Sequence, residues 1–240
     1  MPDTEVLILA MTRMLSGVCT AGMTRQPDET TGLCWVRPVK DFGTLLLGDL
    51  TDAQGRVIQL YDVVSLYLQK PRQDPPHTED WLSDFVRRRP RLLRRLEGDR
   101  RANFFYKYQD TAPHQVLVEQ KRSLCLIRPD QVWGRFTLDS YSGKYEARLA
   151  FSLGDQAFLG SVSKGGLPVT DLKWRALGRV WLSDGSYFDF DSDSLRERLA
   201  TDEIYLTVGL SRTYEGRVWP LVLAIHTMPD YVIDIDYAKA

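Results

Sequence analysis

Two short stretches at opposite ends of the chain each set an arginine where a ligand can reach it. Val6-Leu7-Ile8-Leu9-Ala10-Met11 runs into Thr12-Arg13, and Gly17 follows four residues after the arginine. Ile204-Tyr205-Leu206-Thr207-Val208-Gly209-Leu210 runs into Ser211-Arg212, and Gly216 follows at the same distance. In both, an apolar strand delivers a hydroxyl and a guanidinium to a glycine turn. A guanidinium fork at a strand end suits bidentate contact with an anion such as a phosphate. The bland alternative is an arginine that ties loop carbonyls or pairs with an acid such as Asp49 or Asp171. The echo suggests two copies of a small β unit; it gives the sign of a ligand's charge, not a reaction.

Aromatics accompany the other cations. In Trp35-Val36-Arg37-Pro38-Val39-Lys40, alternation puts Trp35 and Arg37 on one face of a strand. A ring beside a cation can stack on a base while the charge meets the backbone; otherwise Trp35 packs at the core edge and Arg37 joins a salt bridge. Tyr214 and Trp219 are the aromatics expected beside Arg212. Arg87 to Arg101 carries eight arginines against Glu97 and Asp99, with Phe104-Phe105-Tyr106-Lys107-Tyr108 just after. Of these, Arg94, Arg95, Arg100 and Arg101 are the candidate nucleic-acid contacts, with Leu92, Leu93 and Leu96 as the packing face. The alternative is a solvated helix face, the usual role of a charge run.

Catalytic groupings are sparse. His77 with Glu79 and Asp80 is the one histidine–acid cluster and offers either an oriented general base or, together with Arg13 and Arg37, a pocket for a small nucleotide-like anion. Read plainly, Glu79 and Asp80 are charges of a helix first turn. His114 and His226 complete no metal-ligand spacing, and no phosphate loop ending in Lys-Ser or Lys-Thr, GxSxG elbow or HExxH is present. No catalytic residue, metal or cofactor is expected. Cys19, Cys34 and Cys125 sit in apolar contexts, odd in number and without a CxxC, which fits a reducing cytoplasm better than a disulfide framework.

The elements that must position these groups are mostly strands. The chain has 240 residues, 43% hydrophobic and 26% charged, with a net charge of −1, so no global field announces a polyanion partner and any basic surface is local. No apolar run approaches the roughly 20 residues of a membrane span. Residues 6–11, 34–37, 57–60, 63–68 and 144–151 read as strands, and Val180-Trp181-Leu182 and Tyr187-Phe188-Asp189-Phe190 around Asp184-Gly185 read as a hairpin. Helix is expected from Thr78, with Trp81, Leu82, Phe85 and Val86 as its stripe, then over 90–98 with Gly98 ending it. A third is expected over 194–200, with Ser194 and Glu197 at capping-box spacing. The fold class is mainly β: two small barrels joined by a helical segment, with boundaries at 1–75, 76–119 and 120–240 and the seam between 98 and 120.

Taken in order, several landmarks resemble the dual OB-fold family of prokaryotic proteins. They are Thr12-Arg13 with Gly17-Val18-Cys19-Thr20-Ala21-Gly22, Trp35-Val36-Arg37-Pro38, Gly48-Asp49-Leu50, His77-Thr78-Glu79-Asp80-Trp81, Ser123-Leu124-Cys125-Leu126-Ile127, Val169-Thr170-Asp171 and the strands from Leu210 to Ile225. The resemblance implies tandem OB-type barrels and a non-catalytic module that recognises RNA or DNA, in a prokaryotic defence or conflict setting. The residues themselves leave two alternatives open: the small-anion pocket, as sensor or enzyme, and an adaptor for a protein encoded nearby.

Overall fold

The computed structural model describes residues 3–14, 16–25, 33–183 and 185–238. The chain divides into two compact units, Met1–Leu126 and Ile127–Ala240. The division falls inside the strand Leu124–Ile127, later than the expected 98–120. Residues 76–119 are therefore no connector; they complete the first unit. No helix among the described residues is long and apolar enough to cross a membrane.

In the first unit β1 (Asp3–Met14) turns back into β2 (Gly17–Thr24), with Met14 opposite Gly17. Glycine is needed at Gly22, where any Cβ would collide with the Leu7 carbonyl across the pair. Strand β3 (Trp35–Val39) follows β2, and β4 (Asp62–Pro71) and β5 (Asp80–Ser83) complete the set. β3 runs parallel to β5, β5 lies antiparallel to β4, and β4 returns to β1. The order β1-β2-β3-β5-β4-β1 is a closed five-strand barrel of OB type, which removes every free edge from those strands.

The parallel contact is made by charge. Arg37 of β3 stands opposite Asp80 of β5, and its Nε donates to Oδ1 at 2.6 Å with both side chains buried. The neighbouring Glu79 is also buried, and its carboxylate accepts from Ser123 N, Ser123 Oγ and Leu124 N at 2.8–3.1 Å. Both acids that favour a helix start thus have tertiary partners instead, and 80–83 forms a strand. Local propensity is a weak prior and yields here to burial. Val86, assigned to the expected apolar stripe, is 85% exposed.

The second expected helix is also a strand. β6 (Arg91–Arg95) pairs antiparallel with β4, on the side of β4 away from β1. Helix α1 (Gly98–Lys107) begins at the glycine expected to end one, and buries Phe105 edge-on against Tyr61 at 6.0 Å. A single turn, α2 (His114–Leu117), precedes β7 (Leu124–Ile127). Residues 57–60 form no strand; Val57 makes one isolated bridge to Thr51.

The second unit repeats the order. β8 (Gln131–Leu138) and β9 (Tyr145–Leu153) form a hairpin, extended by β10 (Gln156–Phe158). β11 (Leu167–Pro168) lies antiparallel to β9. Helix α3 (Leu172–Leu182), strand β12 (Tyr187–Asp191) and helix α4 (Ser192–Leu199) precede the antiparallel pair β13 (Glu203–Leu210) and β14 (Pro220–Met228). Val169, just past β11, bridges Val222 of β14 in parallel, so the path β8-β9-β11-β14-β13 matches β1-β2-β3-β5-β4. The hairpin expected over 180–190 is absent: Val180-Trp181-Leu182 is the last turn of α3, and β12 pairs with β8 instead. Of its turn, Asp184 lies outside the described residues. α3 is fixed by Asp171, whose carboxylate accepts from Lys173 N and Ile225 N, and by Gly178, which lets the helix press on Phe136 and Tyr145. α4 is close to the expected 194–200, but its cap is Asp191, in a reciprocal box with Ser194.

The topology also reinterprets the echoed arginines. Arg13 lies at the end of β1, before the loop joining the first and second strands of its barrel, whereas Arg212 opens the loop joining the fourth and fifth strands of the other. They sit at different corners of two similar barrels, so the sequence echo is not the structural repeat.

Two outcomes are expected. Removing one partner of the Arg37–Asp80 pair, as in Arg37→Ala, strands a buried carboxylate and should lower unfolding stability by roughly 3–5 kcal/mol in urea titrations; Arg37→Met combined with Asp80→Leu should lose less than Arg37→Ala. Burial raises the Asp171 carboxyl from 3.8 to about 6 in spite of its backbone donors. A raised carboxyl contributes stability that is present below its unfolded value and is lost as pH rises through the folded one. The stability difference between wild type and Asp171→Asn should therefore shrink by up to roughly 3 kcal/mol from pH 4 to pH 7, and a pH-independent difference would refute this.

Candidate nucleic-acid interface

OB-type barrels present ligand-binding surface on the second and third strands and on the loops after the first and fourth. In the second barrel the fourth–fifth loop is a built projection. Beyond the last ladder pair, Leu210 opposite Pro220, Ser211 N donates to Trp219 O at 2.8 Å and Trp219 N to Ser211 Oγ at 3.0 Å. At the tip Tyr214 and Arg217 exchange both backbone hydrogen bonds, 2.9 and 3.0 Å. Glu215 and Gly216 between them have φ of 50° and 73°, the doubly left-handed turn that matches strand twist. This is where a turn glycine is needed.

The finger carries exposed aromatics and cations. Tyr214 is 69% and Trp219 52% exposed, and Arg212 and Arg217 are exposed as well. Tyr214 and Arg217, directly opposite, project from the same side of the hairpin, so a ring and a guanidinium stand side by side. A ring beside a guanidinium is a combination able to hold a single strand by stacking and backbone charge.

The other candidates divide sharply. Arg13 is exposed and makes no ion pair with another described residue. Lys40 Nζ binds Asp49 at 3.0 Å, both partly buried. Trp35, expected to stack on a base, is 3% exposed and belongs to the barrel core. Arg37, expected beside it on the surface, is the buried partner of Asp80. The alternative pocket fails for the same reason: His77 is 1% exposed, and Glu79 is bonded to the backbone of Ser123 and Leu124. Arg37, His77 and Glu79 are frame, not lining.

The arginine run is a mixture. On β6, Arg94 reaches Glu5 at 3.2 Å, and Arg95 pairs with Asp62 at 2.9 Å. Burial raises the Asp62 carboxyl, opposed by the Gln59 N–H and the Arg95 charge. Arg101 is 7% exposed, its guanidinium 4.7 Å from the centre of the Tyr61 ring. Of the four candidates here only Arg100 is exposed without an ion pair among the described residues. The expectation that all four face solvent fails for Arg101, which the α1 register turns inward; Arg94, Arg95 and Arg100 are exposed, with Arg95 reaching the buried Asp62.

Sequence reasoning missed Arg217, although its place between the turn glycine and Trp219 marked it as a hairpin-tip residue. It also missed Tyr141, which is fully exposed in the first–second loop of the second barrel. Its turn-residue neighbours, Asp139, Ser140, Ser142 and Gly143, were the signal.

Two barrels in one chain, each with the third and fifth strands parallel, define a tandem OB-fold protein. The dual OB-containing domain matches residues 4–225, and the chain belongs to that family. No curated protein and no solved structure matches it.

The division of the arginines can be checked by circular-dichroism melting. Arg95→Glu sets a second carboxylate against Asp62 and Arg101→Glu buries an acid against Tyr61, so both should lower the midpoint by many degrees. Arg100→Glu should leave it within about a degree or two, since exposed substitutions usually stay within roughly 0.5 kcal/mol.

Proposed function

We propose that this chain is a non-catalytic module that binds single-stranded nucleic acid, with the β13–β14 finger as its principal contact. The observation that carries the reading is the juxtaposition, on one rigid hairpin, of exposed Tyr214 and Trp219 with exposed Arg212 and Arg217. Stacking is indifferent to base identity, and the arginines add backbone attraction that salt screens. A net charge of −1 keeps the attraction local to such loops. The burial of Arg37, His77 and Glu79 speaks against the small-anion pocket. Within this proposal the cytoplasmic location rests on the cysteine usage, and the prokaryotic defence or conflict setting on the family resemblance.

Fluorescence anisotropy with labelled single-stranded DNA and RNA tests it. Tyr214→Ala and Trp219→Ala should each weaken binding about 5- to 150-fold, corresponding to roughly 1–3 kcal/mol per stacked base. Arg212→Ala and Arg217→Ala should each reduce the salt slope by about 0.7. None should move the melting temperature by more than a degree or two. Wild-type protein that binds no oligonucleotide at low salt would refute the proposal.

A further inference from the structure

The first barrel has its own loop cluster, built from different residues. Val18 N donates to Leu45 O at 2.8 Å, and Thr44 Oγ1 donates to Ser16 O at 3.0 Å, so the segment after β3 is pinned to the β1–β2 hairpin. Its other flank is held by Arg72, just beyond β4, whose Nη1 donates to Lys40 O at 2.7 Å and Asp41 O at 3.0 Å. Lys40 itself is anchored on Asp49. Between these fixed points, the short turn with Gly43 at φ 74° holds Phe42 outward at 85% exposure, and Leu46 beside it is 54% exposed.

A lone exposed apolar residue is ordinary. Here the loop is tied on both sides by hydrogen bonds, so Phe42 is presented rather than left over. Two exposed arginines lie on the same part of the barrel. Arg13 stands opposite Val18, which bridges Leu45, so its backbone is roughly 10 Å, two strand spacings, from Leu45, three residues after Phe42. Arg72 stays half exposed while holding the loop carbonyls. It also forms a long, exposed ion pair with Asp41 at 3.8 Å, which a phosphate would have to displace.

We infer that the first barrel carries a second, independent single-strand contact, in which a base stacks on Phe42 and its flanking phosphates meet Arg13 and Arg72. This rests on the nucleic-acid reading above but on none of the finger residues. It also gives Arg13 a ligand role that the sequence echo suggested for a different reason, one the topology has removed.

The test compares Phe42→Ala, Phe42→Trp, Arg13→Ala and Tyr214→Ala on the full chain, by anisotropy with labelled homopolymeric DNA and RNA, each variant first confirmed to melt like wild type. Phe42→Ala should weaken binding about 5- to 150-fold at unchanged salt slope, and Phe42→Trp should retain or tighten it, since stacking and not shape is at stake. Arg13→Ala should lower the salt slope by about 0.7. If Tyr214→Ala loses affinity while Phe42→Ala and Arg13→Ala bind as wild type, the second contact is wrong and the finger reading stands. If Phe42→Ala loses affinity and Tyr214→Ala does not, the inference survives and the finger is wrong. If wild type binds neither polymer, both fall.

Discussion

The fold of the first barrel hangs on a buried ion pair where the chain crosses over. β3 and β5 are the parallel neighbours of the barrel, and parallel strands cannot be joined by a tight hairpin. Their meeting is specified by Arg37 on one and Asp80 on the other, with Arg37 N also bonded to Glu79 O at 2.8 Å. Buried charges make weak net contributions to stability but heavily penalise any register that separates them. Slipping β5 by one residue would bury an uncompensated guanidinium and an uncompensated carboxylate together. The pair thus acts as a register lock, and Glu79, next in sequence, extends it to Ser123 and Leu124.

The second barrel solves the same crossing differently. Its third and fifth strands meet at Val169 and Val222, and the fixing polar group is Asp171, which caps α3 and accepts from Ile225 N on β14. One carboxylate serves helix start and strand position together, with no ion pair among the described residues. Its elevated pKa follows from that choice, because backbone donors only partly offset full burial. The two barrels share an order of strands and differ in the chemistry that enforces it.

This division of labour bears on where exposed cations and rings are found. The charges at the crossings, Arg37, Asp80, Glu79 and Asp171, are consumed by the frame. Exposed rings beside cations lie in loops held by backbone hydrogen bonds, the finger of the second barrel and the Phe42 turn of the first. A rigid scaffold with polar and aromatic loop tips is the usual arrangement for binding surfaces.

Much of the architecture was legible in the sequence. Long apolar runs such as 6–11 and the strict alternation at 144–151 fixed strands, because burial on one or both faces writes itself into a period of two or a continuous run. The short motifs of the family resemblance placed two barrels in order, and the turn glycines beside Arg13 and Arg212 marked real hairpin ends. Sequence could not decide what tertiary partners decided. Glu79 and Asp80 look like helix-start charges until Ser123 and Arg37 arrive from distant segments, and Trp35 with Arg37 looks like a binding face until the barrel closes over it. The arginine run reads as one patch, yet whether each guanidinium meets solvent or a buried acid depends on β4 lying beside β6. A charge or a ring has no intrinsic side in a linear chain; the fold assigns it by bringing up the opposite charge or the covering surface.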